Sequence, residues 1–283
     1  MNEIVYLNGR LVPKNEAFIS PDDRGFNFAD GIYEVIKYYS GVAFRYADHI
    51  ERLKRSLHEI SLDFDDCDQF GAVFRELLER NNLAGQDAGI YLQISRGSSP
   101  RMHRFPDQSV PTVYACAFPF ASNTEQLKNG ISVITAEDIR WLRCDIKSVA
   151  LLPNTLLFQK AVKEGAGEVI FIRDGIVTEA SHSSVMAVKN GAVYTHPQSN
   201  LVLPGITQKV IMEICRAEGI EVIEKGIPEA VFKSMDEVII TGTGSEVTPV
   251  VNIDGTAVSD GNPGPVTRLI QERFFEQVHK TLQ

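Results

Sequence analysis

Several segments of this 283-residue chain carry side chains whose types and spacing could do chemistry. The run from Asp138 through Arg140, Trp141, Arg143, Cys144, Asp145 and Ile146 to Lys147 and Ser148 ends in strand-like alternation, which puts Lys147 on the face opposite Ile146. A lysine held among apolar neighbours loses proton affinity and can form a Schiff base with a carbonyl; an exposed strand with a solvated lysine is the alternative. Downstream, Glu179 stands in Val177-Thr178-Glu179-Ala180-Ser181-His182-Ser183-Ser184 after the turn signal Asp174-Gly175. It either closes a polar strand or serves as an interior carboxylate, which needs a positive partner such as a protonated pyridine nitrogen.

Two further segments read as anion cradles. Leu203-Pro204-Gly205-Ile206-Thr207 leads into a helical pattern, so backbone N–H groups and the Thr207 hydroxyl could meet a phosphate at the positive end of the dipole. Thr241-Gly242-Thr243-Gly244-Ser245 follows a strand, and its glycines admit close approach of an anion. Either alone is also an ordinary glycine turn. Arg52 borders the apolar stripe of a helix, as a ligand or a surface residue. In Ser99-Pro100-Arg101-Met102-His103 an extended backbone points Arg101 and His103 the same way, able to grip one carboxylate or to be solvated.

The elements that must position these residues are legible as period and punctuation. Asn8-Gly9 between two apolar runs predicts a hairpin, and Ser40-Gly41 closes a second one spanning 32–45. The stripe Ala47, Ile50, Leu53, Leu57, Ile60 predicts a helix, followed by another over 68–80 and strands near 90–95 and 110–118. Residues 118–129 lack apolar periodicity and read as a linker. Beyond them strands are expected at 131–135, 168–173, 184–188, 221–224 and 237–241, with helices at 154–164, 206–218 and 265–281. This pattern predicts two α/β domains with mixed sheets: residues 1–119, a linker at 120–130, and residues 131–283 carrying Lys147.

Composition narrows the partners. Formal net charge is −9 and apolar residues are 43% of the chain, so no basic field exists for nucleic acid or an anionic membrane, and a small molecule is the expected partner. Cys67, Cys116, Cys144 and Cys215 are scattered without metal-ligand spacing and read as free thiols; no metal is expected. The N-terminus lacks a signal-peptide pattern and no apolar run reaches membrane-spanning length, which points to the cytoplasm.

The order of the segments resembles the fold-type IV pyridoxal-phosphate enzymes, the group of class IV aminotransferases, with D-amino acid aminotransferases the nearest branch. The resemblance rests on Asp23-Arg24-Gly25-Phe26, Phe28-Ala29-Asp30-Gly31-Ile32-Tyr33-Glu34-Val35, His49-Ile50-Glu51-Arg52-Leu53, Ser95-Arg96-Gly97-Ser98-Ser99-Pro100-Arg101-Met102-His103, residues 137–148, and Ser245-Glu246-Val247-Thr248-Pro249-Val250. It implies a two-domain chain with pyridoxal 5′-phosphate at the domain interface, and a homodimer. It also implies Lys147 as the cofactor-bearing catalytic amine, Glu179 at the pyridine nitrogen, Arg52, Ile206, Thr207 and Thr243 at the phosphate, Leu203 against the ring and Arg140 near the phenolic oxygen. Tyr33, Arg101 and His103 would take the substrate α-carboxylate. The expected reaction is ping-pong transfer of an amino group from D-alanine, D-glutamate or D-aspartate to 2-oxoglutarate or pyruvate.

The chain departs from the family pattern at Ser184, Met186, Gln208 and Gly242. Rivals are a branched-chain L-amino acid or (R)-amine transaminase, an aminodeoxychorismate lyase, a nucleotide-binding oxidoreductase using the 241–245 loop, and a silent homologue acting as a scaffold. The oxidoreductase lacks the third glycine and a first βαβ unit. The scaffold sits poorly with an intact Lys147 and Glu179.

Overall fold

The protein is described by a computed structural model covering residues 3–282; Met1, Asn2 and Gln283, at the ends of the two expected domains, lie outside the described residues. The chain divides into two compact units. In the first, β1 (Ile4–Leu7), β2 (Arg10–Pro13), β3 (Gly31–Tyr39), β4 (Val42–Ala43), β5 (Ala88–Ser95) and β6 (Thr112–Pro119) form one sheet in the order β2-β1-β6-β5-β3-β4. Every pairing in it is antiparallel, so the mixed sheet expected here is absent. Tight hairpins join β1 to β2 and β3 to β4, and at the first Asn8 and Gly9 both take positive φ (48° and 85°), the geometry a two-residue turn needs.

Helices α1 (Arg24–Phe28), α2 (Tyr46–Glu59) and α3 (Phe70–Arg80) belong to the same unit. The stripe predicted from Ala47 to Ile60 buries Ile50, Leu53 and Leu57, and α3 contributes Phe70, Phe74 and Leu77, all in one core with Ile36, Ile90 and Leu92 of β3 and β5. Full burial of each such side chain contributes about 1.5–3 kcal/mol.

The second unit holds α4 (Thr124–Asn129), β7 (Ile131–Glu137), α5 (Leu152–Lys163), β8 (Glu168–Arg173), β9 (Ile176–Ala180), β10 (Ser184–Lys189) and β11 (Ala192–Thr195). It continues with α6 (Ile206–Ala217), β12 (Val222–Glu224), β13 (Ile227–Pro228), α7 (Glu229–Phe232), β14 (Glu237–Gly242), β15 (Glu246–Ile253), β16 (Thr256–Ala257) and α8 (Pro265–Thr281). Its strands make one sheet, β12-β11-β10-β14-β15-β7-β8-β9-β13 with β16 on β15. This sheet is mixed: β15–β7–β8 and β11–β12 run parallel, and the other pairings are antiparallel. Among the described residues no helix is long and apolar enough to cross a membrane.

Two placements differ from the sequence expectation. Ile146–Ala150, and Lys147 with it, packs with the first unit rather than the second. Backbone pairing is the cause: Tyr33 N donates to Lys147 O at 3.0 Å, Val149 N to Gly31 O at 3.1 Å, and Ile32 forms an antiparallel bridge with Ser148. Ile146 enters the first unit's core. The expected linker also contains α4, which belongs to the second unit. Asn123 caps it, Leu127 is buried, and Gln271 of α8 donates to the Leu127 carbonyl at 2.8 Å. Its apolar face is too short to show a period, so only tertiary contacts reveal it.

Candidate active site

In the first unit Lys147 is half-buried, and its amine stands 4.3 Å from the centroid of the Tyr33 ring, a cation–π arrangement. Tyr33 stacks on Tyr91 of the neighbouring strand at 5.7 Å. Alternation along β3 sends the next residue, Glu34, to the other face, where its side chain is 1% exposed. There it accepts from Arg52 Nε at 2.7 Å and Nη2 at 2.8 Å, while His49 Nδ1 lies 2.8 Å from its Oε2. His49 and Arg52 are one turn apart on α2, so a single helix face serves one carboxylate. Burial alone would raise the Glu34 pKa, but the Arg52 guanidinium and His49 outweigh it and hold the carboxyl far below its usual range. Burial pushes His49 down, against the pull of Glu34.

Sequence reasoning singled out Arg52 and missed Glu34 and His49. The signal available was an acidic residue inside a largely apolar strand.

Arg101 and His103 are exposed on the segment between β5 and β6. They meet around Phe28, whose ring lies 5.0 Å from the Arg101 guanidinium and 5.5 Å from the His103 ring. The segment is anchored by two arginines that sequence reasoning left without a role. Arg24 and Arg96 both donate to Asp30 Oδ2, at 2.7 and 2.8 Å; Arg24 also donates to the Met102 carbonyl, and Arg96 lies 3.6 Å over the Phe105 ring.

In the second unit Glu179 ends β9 and is buried. Its Oε1 accepts from Arg140 and its Oε2 from the Leu203 amide at 3.0 Å, so three of the predicted residues meet at one carboxylate. Burial raises the Glu179 pKa and outweighs the opposing Arg140 guanidinium. Arg140 is fixed by Asp138, which accepts from its Nε at 2.8 Å and Nη2 at 2.7 Å, and by the face of Phe171 at 4.7 Å. Thr178 also donates to Asp138, and Arg173 pairs with it at 3.0 Å. Burial would raise the Asp138 pKa, but these arginines hold it at about 2.

Ile206 and Thr207, both buried, open α6, whose N-cap Gly205 offers no side chain to its first turn. A Cβ on Gly205 would come within 2.6 Å of Ser184 Oγ, so the chain approaches closely here. Gln208, where a basic residue is usual, turns inward and donates to Thr195 Oγ1 at 2.6 Å. Thr243 lies in the turn between β14 and β15, and that turn is tied to residue 183 by a 2.6 Å contact between Ser183 Oγ and Ser245 Oγ. An uncapped helix start, a buried threonine hydroxyl and a glycine turn suit a phosphate. A buried carboxylate of raised proton affinity suits a protonated ring nitrogen. The residues fit pyridoxal phosphate.

A chain with these parts has the make-up of an enzyme acting through a phosphorylated pyridine. Its fold matches the crystal structure of the Escherichia coli branched-chain amino acid aminotransferase with TM-score 0.90 at 27% identity, covering 98% of this chain and 94% of that one. D-alanine aminotransferase of Staphylococcus haemolyticus is 48% identical over 276 residues, 97% of each chain, and that of Bacillus licheniformis is 42% identical over 268 residues, 94% of each. The model of the amino-transferase class IV family matches residues 31–253. The chain belongs to the class IV aminotransferases, enzymes dependent on pyridoxal phosphate.

Proposed function

We propose that this enzyme moves the amino group of a D-amino acid, D-alanine foremost with D-glutamate and D-aspartate, to a 2-oxo acid such as 2-oxoglutarate or pyruvate, in ping-pong fashion. The observation that carries the reading is the buried Glu179 carboxylate, set in a chain whose full-length relatives are D-alanine aminotransferases. Bound pyridoxal phosphate supplies a carbonyl for the amine and a ring that delocalises the charge left at the substrate α-carbon.

The chain's own residues do the rest. Lys147 Nζ would hold the cofactor and serve as the base that takes the α-proton. Glu179 would face the ring nitrogen and favour its protonated form. The Ile206 and Thr207 amides, the Thr207 and Thr243 hydroxyls and the Arg52 guanidinium serve the phosphate, Leu203 packs on the ring, and Arg140 serves the phenolic oxygen. Tyr33, Arg101 and His103 bind the α-carboxylate. A cytoplasmic homodimer goes with this reading; Phe18, Phe26 and Val110, at 82%, 79% and 85% exposed, are apolar side chains that a second copy would cover.

The test is spectroscopic and kinetic. The purified protein should show a visible cofactor band that borohydride abolishes and Lys147→Ala lacks, and should turn over D-alanine with 2-oxoglutarate. A protein that stays colourless with added pyridoxal phosphate defeats the cofactor assignment, and activity confined to L-leucine or L-valine defeats the D-assignment.

A further inference from the structure

His182 stands in the turn between β9 and β10, three residues beyond Glu179. Its side chain is 56% exposed, yet the ring is tethered: Nδ1 lies 3.0 Å from Glu168 Oε2 and 2.8 Å from Ser181 Oγ. The Ser181 hydroxyl donates its one proton to Glu168 Oε1, so toward His182 it can only accept, and Nδ1 is the nitrogen that carries a proton. Glu168 is fully enclosed; its Oε1 also accepts from the Val169 and Ser181 amides, and His182 is its ion-pair partner. Nε2 is the nitrogen a ligand carboxylate would meet, and the imidazolium, with both ring nitrogens protonated, is the form that donates to it. Phe158 meets the ring edge-on at 5.4 Å, and Asn154 donates to the Ser181 carbonyl at 2.7 Å, so ring and turn are both held.

The turn also touches the groups assigned to the cofactor. Ser184 pairs with Glu179 across the strands, Ser183 Oγ meets Ser245 Oγ, and a Cβ on Gly242 would lie 3.4 Å from the His182 carbonyl. A tethered imidazole therefore occupies the short connection between the strand of Glu179 and the 242–245 loop. In a chain of net charge −9, a substrate with two carboxylates needs such a local partner.

We propose that His182 recognises the second carboxylate of a dicarboxylic substrate, donating from Nε2 to the side-chain carboxylate of D-glutamate or D-aspartate, with Glu168 and Ser181 as its positioning residues. The inference rests on the aminotransferase reading.

Its test compares wild-type holoenzyme with His182→Ser and His182→Lys, each with D-glutamate and D-alanine as donors and 2-oxobutyrate as the common acceptor. One hydrogen bond to a charged group corresponds to roughly tenfold or more in the ratio of the two kcat/KM values, so His182→Ser should lower that ratio by this factor. Glutarate, which cannot react, should bind the serine variant more weakly by calorimetry, and His182→Lys should recover part of both effects. A ratio that stays constant, whether the two donors are lost together or neither is, overturns the proposal. A wild type that uses neither donor sinks the aminotransferase reading instead.

Discussion

Glu179 is pressed between opposing forces: its burial favours the protonated carboxyl, while Arg140 and the Leu203 amide favour the anion. A bound pyridinium would settle that contest by bringing a second positive charge to a carboxylate already stripped of water. Glu179→Gln keeps the shape and removes the charge. It should lower kcat by roughly a hundredfold or more while the cofactor remains bound, read by single-turnover kinetics alongside the absorption spectrum. Glu34 teaches the same lesson at the other pole. Glu34→Gln leaves the buried Arg52 guanidinium without its counter-charge, and unfolding in urea should show a loss of about 3–5 kcal/mol.

At the scale of elements, the segment between β5 and β6 carries Arg101 and His103 on an otherwise exposed run, so its path must come from its ends. Arg24 and Arg96 clamp it through Asp30, and Gly97 lets the backbone turn at φ +85°, where an added Cβ would fall 1.9 Å from the Val110 carbonyl. Gly97→Ala meets both a forbidden dihedral and a backbone collision. If Arg101 and His103 bind the α-carboxylate, this variant should raise KM for D-alanine at least several-fold, with cofactor affinity far less affected. Equilibrium binding of pyridoxal phosphate to the apoenzyme, set beside KM, checks this.

For the molecule as a whole, buried carboxylates make stability depend on pH with a sign that can be worked out. Asp138 falls from the ordinary 3.8 to about 2 in the folded state, and Glu34 is depressed as well. Each therefore contributes stability that is present above its unfolded pKa and lost as pH falls through the folded value. Glu179 has a raised folded pKa, so its contribution is lost as pH rises through that value. Melting temperatures should accordingly drop steeply between about pH 4 and pH 2. Asp138→Asn, which removes one of these titrations, should flatten the slope in that window while lowering Tm at neutral pH.

Much of this was legible in the residues themselves. Asn8-Gly9 forced a hairpin because few dipeptides tolerate two positive φ angles, and the stripe from Ala47 to Ile60 specified α2 because burial repeats at the helical period. Lys147, Glu179, Arg52 and the start of α6 were visible as residue types in order along the chain. The short helix α4 was not, and neither was the Glu34–His49–Arg52 cluster, because a buried charge is identified by partners distant in sequence, which period and composition do not encode. Lys147 shows the division most clearly. Its candidacy as the amine could be read from the sequence, but its membership of the first unit followed from hydrogen bonds between its flanking backbone and Gly31 and Tyr33. Local spacing selects the chemistry a side chain can do, whereas long-range pairing decides which body of the protein holds it in place.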